Sequence, residues 1–171
     1  MKSMETNKCK PPILKGSNIN NNDMSTYTQI LYQIVFTTKD REATMIESGQ
    51  ERLYRFIWGI LQKKSCHLYR INGIEDHLHI VTHLHPTIAP ATLVKDIKLA
   101  SSEFIKEEGI LPHFKGWQDG YGAFTYAISA KDNLIEYVKN QKQHHKKVSF
   151  RDEYISLLRE HGILFDEKYL F

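Results

Sequence analysis

The chain has little cysteine and no long apolar run, and each absence excludes a class of protein. Its 171 residues include only two cysteines, Cys9 and Cys66. Two cysteines so far apart provide neither a disulfide framework nor a cysteine metal cluster. No segment approaches the roughly 20 apolar residues of a membrane-spanning helix, and the N-terminus lacks the apolar core of a signal peptide. We therefore expect a cytoplasmic protein.

The remaining composition is that of an ordinary globular domain. Hydrophobic residues make up 41% of the chain and charged residues 25%, which is enough for one hydrophobic core. The net charge of +3 permits an acidic partner without requiring one. Residues 1–23 are polar, rich in asparagine and without either helical or strand periodicity. We expect them to be a disordered leader, followed by a single domain over residues 24–171.

The segment that follows Gly73 has the pattern of a histidine-rich strand. Apolar and polar residues alternate, so that successive side chains point to opposite faces. One face would carry Leu78, Ile80 and Leu84, and the other His77, His79, Val81, His83 and His85. Imidazoles two residues apart on a strand stand about 7 Å from each other, which allows His77 and His79 to converge on one metal ion. A solvated histidine surface is the alternative, so a second element is needed to decide.

The apolar periods predict the order strand, helix, strand, strand, helix, strand. We expect strands over 29–37, 66–72, 77–85 and 123–128, a first helix that opens with a capping box at Ser48, and a second from Pro90 to Gly109. The first strand should be half-buried. This order is typical of the ferredoxin-like α+β fold, a four-stranded antiparallel sheet with both helices on one face. The histidines would then lie on the open face, where another element must cover them.

Two further helices follow. The helix from Lys131 to about His145 is the candidate cover, and its stripe contains Leu134, Tyr137, Gln141 and either His144 or His145. Tyr137 and Gln141 would point the same way, although a packing role for the tyrosine is the simpler alternative. We interpret the final helix structurally, with a cap at Ser149, a stripe of Phe150, Tyr154, Leu157 and Leu158, an end at Gly162 and an apolar tail over 169–171 that docks on the body.

These residues together resemble a known family. The matching segments are Tyr27-Thr-Gln-Ile30, Asn72-Gly-Ile-Glu-Asp-His-Leu-His-Ile80, Trp117-Gln-Asp-Gly-Tyr-Gly-Ala-Phe124 and Tyr137-Val-Lys-Asn-Gln141 with His144-His145. In this order they resemble the single-tyrosine HUH transposases of bacterial insertion sequences, including relatives that act on repeated palindromes. The resemblance covers nearly all of residues 24–171.

The resemblance implies an activity and a set of site residues. His77, His79 and Gln141 would bind a divalent metal, Mg or Mn, and Tyr137 would be the nucleophile. The substrate would be single-stranded DNA beside a hairpin, cut to give a 5′-phosphotyrosine and a free 3′-hydroxyl and rejoined without ATP. The enzyme would be a homodimer whose tyrosine helix serves either its own or the partner subunit.

Basic and aromatic side chains provide candidate DNA contacts. The backbone contacts would come from Lys39, Arg41, Lys95, Lys98, Lys115, Lys139 and Lys142. Trp117 and Tyr121 could stack on unpaired bases. Trp117 could equally be a core or dimer residue, and Tyr121 a simple loop aromatic.

The chemistry is consistent with these positions. A phenol with a pKa of about 10 is mostly protonated at neutral pH, so it attacks a phosphodiester only if a metal neutralises phosphate charge and aligns the phosphorus. A non-catalytic nucleic-acid module would not need His77, His79, Tyr137 and Gln141 together. A metal-dependent hydrolase of small molecules would not need Tyr137 and should have a more acidic site. The coincidence of all four residues favours the transposase.

Overall fold

The strands and helices follow the predicted order. The computed structural model describes residues 27–170, apart from the side chain of Tyr169. The elements are β1 (Leu31–Thr37), α1 (Glu47–Lys63), β2 (His67–Gly73), β3 (His77–His83), α2 (Pro90–Glu108), β4 (Gly122–Tyr126), α3 (Lys131–Lys139), α4 (Gln141–His144) and α5 (Phe150–Glu160). The leader predicted over 1–23 lies outside the described residues.

The four strands form one antiparallel sheet in the order β2-β3-β1-β4. The predicted β2-β3 hairpin is confirmed, and so is the ferredoxin-like α+β architecture. Hydrogen bonding places β3 beside the central strand β1, with His79 opposite Val35 and His77 opposite Thr37. The predicted histidine strand therefore lies in the interior of the sheet.

Helices cover both faces of the sheet. Helices α1 and α2 pack on one face, where Ile34, Phe36, Leu78 and Ile80 belong to the largest apolar cluster. Helices α3 and α5 pack on the other, against Leu31 and Val81 under α3 and against Val35 and Phe124 under α5. Burying each such aliphatic side chain stabilises the fold by about 1.5–3 kcal/mol. The prediction that β1 is half-buried was wrong, because Leu31, Gln33 and Val35 are buried beneath the additional helices.

Several predicted boundaries are confirmed. Pro90 is the first residue of α2, and Gly109 ends that helix in the left-handed region at φ 60°, where a glycine has no steric penalty. The Ser149 side chain caps α5 by accepting a hydrogen bond from the backbone N–H of Asp152. Leu170 packs on the cluster beneath α5, as predicted for the tail, whereas Phe171 lies outside the described residues.

Two helix predictions need correction. Helix α1 begins at Glu47 after an N-terminal cap residue, Ile46, that makes no side-chain capping bond, so the capping box expected at Ser48 does not form. The helix predicted over 131–145 is divided into α3 and α4 at Asn140, whose φ of −95° and ψ of 19° leave the helical range. Strand β4 is also shorter than expected, since residues 128–130 form a 3₁₀ turn. No helix within residues 27–170 combines the length and apolar character needed to cross a bilayer.

Candidate metal centre beside a tyrosine

Strand β3 directs His77 and His79 into the interface beneath α3, α4 and α5. Both side chains have 0% exposure, and their ring centroids lie 5.2 Å apart. Leu78 and Ile80 point to the opposite face and pack with α1 and α2. The strand alternation thus places two imidazoles together in a buried site, which excludes a solvated histidine surface at these two positions.

The Nδ1 atom of each histidine contacts a neighbouring side chain. His77 Nδ1 lies 2.7 Å from Asp76 Oδ1, and Asp76 Oδ2 accepts a hydrogen bond of 2.9 Å from Arg41. His79 Nδ1 lies 3.0 Å from the side-chain amide of Gln33. The amide nitrogen faces the ring, because the amide oxygen accepts a hydrogen bond of 2.7 Å from Tyr126 Oη. Turning the amide by 180° would make Nδ1 the donor and leave Nε2 with its lone pair. Burial lowers the pKa of His77 to about 4, despite the opposing effect of Asp76, so its imidazole is neutral at pH 7.

A buried carboxylate lies between these histidines and the covering helices. Glu153 Oε2 is 3.8 Å from His77 Nε2, 3.5 Å from His79 Nε2 and 3.2 Å from His145 Nε2. One ligand atom from each of His77, His79, His145 and Glu153 can be chosen so that all four lie within 4.8 Å of one another. The second carboxylate oxygen, Oε1, is 3.5 Å from His144 Nε2. These four residues could hold a metal ion.

Glu153 was missed by the sequence analysis, which interpreted α5 as a packing helix. The sequence does contain a signal. Glu153 is three residues after Phe150 and four before Leu157, so it occupies an inward position of the apolar stripe. An acidic residue at such a position is almost never buried without a partner. Its partners come from β3, α3, α4 and the residue that follows α4, which sequence spacing does not reveal.

Several polar atoms of this cluster are buried without a hydrogen-bond partner among residues 27–170. They are His77 Nε2, His79 Nε2, His144 Nε2, His145 Nε2, Gln141 Oε1 and Glu153 Oε2. Each unsatisfied buried polar atom costs about 1–3 kcal/mol. Imidazole nitrogens, amide oxygens and carboxylates are all metal ligands, so a divalent cation would satisfy several of these atoms at once. The residues present fit such an ion.

The hydroxyl of Tyr137 reaches the same carboxylate. Tyr137 Oη donates a hydrogen bond to Glu153 Oε1, and Gln141 Nε2 donates to that oxygen over 3.1 Å. The Tyr137 ring centroid is 6.1 Å from that of His79. Burial and the negative charge of Glu153 raise the pKa of the phenol, which is therefore protonated at neutral pH.

Burial is the strongest single influence on the pKa of Glu153 and would raise it. The imidazoles of His145 and His79, together with the Tyr137 hydroxyl, nevertheless hold that pKa well below its usual range. The carboxylate is therefore ionised at neutral pH. It provides a negative charge at the centre of the cluster.

The end of α3 is fixed to the sheet. Asn72, on β2, donates its side-chain amide to the carbonyl oxygens of Val138 and Lys139 over 3.0 and 2.9 Å. These carbonyls belong to the last turn of α3, where no intrahelical donor is available. These hydrogen bonds help to position α3, and with it Tyr137, over the sheet. After the break at Asn140, Gln141 is fully buried.

Three of the predicted DNA contacts have partners within the fold. Lys98 Nζ donates to the carbonyl oxygen of Gln118 over 2.6 Å and to that of Gly120. Trp117 packs edge-on against Phe36 at 4.9 Å and donates its indole N–H to Ser101 over 2.9 Å, which favours the core alternative. Arg41 pairs with Asp76, as described above.

The remaining candidates are at the surface. Ion pairs join Lys115 to Glu42, Lys139 to Glu136 and Lys142 to Glu47. Lys39 and Lys95 are exposed. Lys95 is on α2, on the face of the sheet opposite the histidines, whereas Lys139 is on the tyrosine helix. Tyr121 lines a cavity of about 260 Å³ together with Arg41 and Phe150. A larger cavity of about 570 Å³ opens beside Tyr137.

The fold and site define a class of protein, an α+β domain with a buried candidate metal centre beside a tyrosine hydroxyl. The family follows from the sequence comparison. Residues 26–141 match the family described as "Transposase IS200 like", and this range includes His77, His79, Tyr137 and Gln141. The chain therefore belongs to the IS200-like transposases. No protein of curated function matches the chain in sequence.

Two solved structures are similar to the fold. A candidate transposase from Deinococcus radiodurans R1 has a TM-score of 0.54 and 21% identity, and the match covers 70% of this chain and 97% of that one. A REP-associated tyrosine transposase bound to a REP hairpin has a TM-score of 0.54 and 13% identity, covering 86% of this chain and 92% of that one. At these identities the likeness shows the fold alone.

Proposed function

We propose that this protein is a metal-dependent transposase that cleaves and rejoins single-stranded DNA beside hairpins, with Tyr137 as the nucleophile. One observation carries the proposal. The Tyr137 hydroxyl donates to Glu153, the carboxylate that lies among the unpartnered Nε2 atoms of His77 and His79. The nucleophile and the candidate metal centre thus share a neighbour within one chain. The similar structure that was solved with a REP hairpin supports a hairpin as the DNA partner.

The roles of the side chains follow from their chemistry. His77 and His79 would hold a divalent ion, Mg or Mn, with Gln141 completing the site. When bound, such an ion neutralises charge on the phosphate oxygens and aligns the phosphorus. The Tyr137 oxygen attacks phosphorus and loses its proton, the bond to the 3′-oxygen breaks, and that oxygen leaves with the electron pair and takes up a proton. The products are a 5′-phosphotyrosine and a 3′-hydroxyl, and the reverse attack rejoins the strands without ATP.

The charge of the site favours this function over the two alternatives. The carboxylate of Glu153 would cancel only one of the two positive charges of a divalent ion. The remaining positive charge suits an anionic phosphate substrate, whereas a carboxylate-rich site would cancel it. A small-molecule hydrolase has no use for the Tyr137 hydroxyl at the site. A non-catalytic nucleic-acid module has no use for a buried cluster of unpartnered imidazoles, which costs stability.

One chain supplies every group of the proposed site. Tyr137 contacts Glu153 of its own subunit, so the homodimer implied by the family resemblance is not needed to complete the site. We retain the homodimer and the cytoplasmic location as predictions.

The decisive experiment tests for the covalent intermediate. The protein is incubated with short single-stranded DNA from the flanks of its own gene and with Mg²⁺ or Mn²⁺, and the product is examined for a protein band shifted by DNA. Tyr137→Phe keeps the ring and the helix but removes the attacking oxygen, so this variant should bind hairpin DNA like the parent and form no adduct. Tyr121→Phe is the control and should still form one.

Peptide mapping of the adduct should place the DNA on the peptide that contains Tyr137. An adduct that survives Tyr137→Phe, or that maps to Tyr121, would refute the proposed mechanism.

A further inference from the structure

We propose that Glu153 is both a metal ligand and the positioning residue for Tyr137, and that His145 is a further metal ligand. This inference rests on the proposed function, because it concerns the same site. It adds a charged ligand from α5 and an imidazole that follows α4, neither of which belongs to the His77, His79 and Gln141 set expected from the sequence.

The charge of Glu153 supports a bound cation. Its carboxylate is 4% exposed, and within residues 27–170 no lysine or arginine forms an ion pair with it. Its ion-pair neighbours are the imidazoles of His77, His79, His144 and His145. A buried carboxylate without a positive partner costs several kcal/mol. A bound divalent cation would provide that partner, and the Nε2 atoms that surround Oε2 would be its other ligands.

The imidazoles of His77 and His145 are oriented as metal ligands. A histidine that binds metal through Nε2 usually donates its Nδ1–H to a carboxylate or a backbone carbonyl. His77 Nδ1 is 2.7 Å from Asp76 Oδ1, and His145 Nδ1 is 2.9 Å from the carbonyl oxygen of Val148. Both contacts fix the form in which Nε2 carries a lone pair, and both rings direct that atom at the cluster. His145 is therefore oriented as a ligand in the same way as His77.

The two oxygens of Glu153 face different partners. Oε2 is on the side of His77, His79 and His145, whereas Oε1 accepts hydrogen bonds from Tyr137 and Gln141. A single rigid carboxylate thus joins the candidate metal centre to the nucleophile. Removing the charge of Glu153 should therefore change both the metal affinity and the placement of the Tyr137 phenol. Substitution of a residue that only packs against the site should change neither.

The ligand set has a consequence for metal choice. Imidazoles suit first-row transition ions better than Mg²⁺, which prefers oxygen ligands. Three imidazoles and one carboxylate should therefore bind Co²⁺ more tightly than Mg²⁺.

The test measures metal binding directly, without DNA. Metal-free protein is titrated with Co²⁺ by calorimetry and by visible absorption, which reports a change of ligands. Glu153→Gln and His145→Ala should each raise the dissociation constant by more than about tenfold and alter the Co²⁺ spectrum. Glu160→Gln, an exposed residue on the same helix, is the matched control and should bind like the parent.

The positioning role has its own measurement. At a saturating concentration of Mn²⁺, Glu153→Gln should form the covalent adduct at least about tenfold more slowly than the parent while binding hairpin DNA with unchanged affinity. At saturating Mn²⁺, His145→Ala should form the adduct faster than Glu153→Gln does, because Tyr137 keeps its hydrogen bond to Glu153 in that variant. Parent-like adduct formation by Glu153→Gln would overturn the positioning role.

The outcomes separate this inference from the proposed function. Parent-like Co²⁺ affinity and spectrum in Glu153→Gln and His145→Ala would overturn the ligand assignment, even if Tyr137 proves to be the nucleophile. An adduct that persists in Tyr137→Phe would refute the mechanism and leave the metal result standing, because the Co²⁺ titration contains no DNA. If circular dichroism shows that Glu153→Gln is unfolded, the Co²⁺ affinity and spectrum of His145→Ala decide the ligand assignment.

Discussion

Four histidines lie on one side of β3 and the residues that follow it, and their surroundings differ. His77 and His79 are fully buried beneath the covering helices, whereas His83 is half-buried and His85 is exposed. His83 Nδ1 lies 3.1 Å from the carbonyl oxygen of Ile30, away from the cluster. Histidines of one segment thus have different surroundings because only part of the segment is covered.

This difference predicts the effects of single substitutions. His77→Ala or His79→Ala should abolish metal-dependent adduct formation while the protein remains folded, because each removes a proposed ligand whose ring is not part of the main apolar core. His83→Ala and His85→Ala should retain most of the activity. The adduct yield with Mg²⁺ or Mn²⁺, and with EDTA, is the measurement. Full cleavage in EDTA would contradict a metal requirement.

The ion pair behind His77 has a testable role of its own. Asp76 accepts from Arg41 and contacts His77 Nδ1, so it fixes the ring in the orientation that a ligand needs. Asp76→Asn should weaken Co²⁺ binding by about 10–100-fold, the usual effect of losing such a contact. Glu75→Gln, a substitution of the exposed neighbouring acid, should change it little. Equal affinities in the two variants would show that Asp76 does not orient His77.

At the scale of elements, the break between α3 and α4 shapes the site. A continuous helix would carry Tyr137 and Gln141 along one stripe, whereas the non-helical Asn140 turns the chain and lets both side chains reach Glu153 from successive segments. The end of α3 before the break is held by Asn72 on β2. The position of Tyr137, the proposed nucleophile, therefore depends on a hydrogen bond from the edge of the sheet.

We predict that Asn72→Ala destabilises the protein and slows the reaction. Leaving two carbonyl groups of α3 without a donor should lower the free energy of unfolding by about 1–3 kcal/mol, measured by urea denaturation. The rate of adduct formation should fall as well, because α3 is less firmly placed. Asn133→Ala, at an exposed position on α3, is the control. Unchanged stability in Asn72→Ala would exclude the anchoring role.

At the scale of the whole molecule, the two faces of the sheet should differ in DNA binding. Lys139 is on the tyrosine helix, while Lys95 is on α2 across the sheet. The affinity for a hairpin with a single-stranded flank should fall as the salt concentration rises. The logarithm of the affinity should decrease with the logarithm of the salt concentration with a slope of roughly 0.7–0.9 per phosphate contact. Duplex DNA should bind less well than the hairpin. Lys139→Ala should reduce the affinity more than Lys95→Ala. A flat salt response would favour a small-molecule enzyme.

Subunit use can be measured by complementation. Because Tyr137 and His79 of one chain already lie together, we expect cleavage in cis. A mixture of Tyr137→Phe and His79→Ala should then form no more adduct than either variant alone. Recovery of activity in the mixture would indicate that the tyrosine helix serves the partner subunit of a homodimer.

The sequence by itself determined the order of elements and two members of the site. Apolar alternation and helical periods are local properties, so they predicted the sheet, the β2-β3 hairpin and the shared direction of His77 and His79. The tyrosine and its glutamine were recognised through the family resemblance. Local patterns also predicted the helix ends at Gly109 and Ser149, where a single residue type satisfies the backbone requirement.

The helix predicted over 131–145 does cover the histidines, but only the tertiary structure showed that α5 covers them as well. The burial of β1 on both faces, the turn at Asn140 and the entry of Glu153 and His145 depend on how α3, α4 and α5 pack across β1 and β3. These contacts join residues far apart in sequence, and no local period records them. Glu153 on an apolar stripe was visible in the sequence as an anomaly, but its meaning required the buried imidazoles that surround it, because a charge is tolerated in a protein interior only when specific partners meet it there.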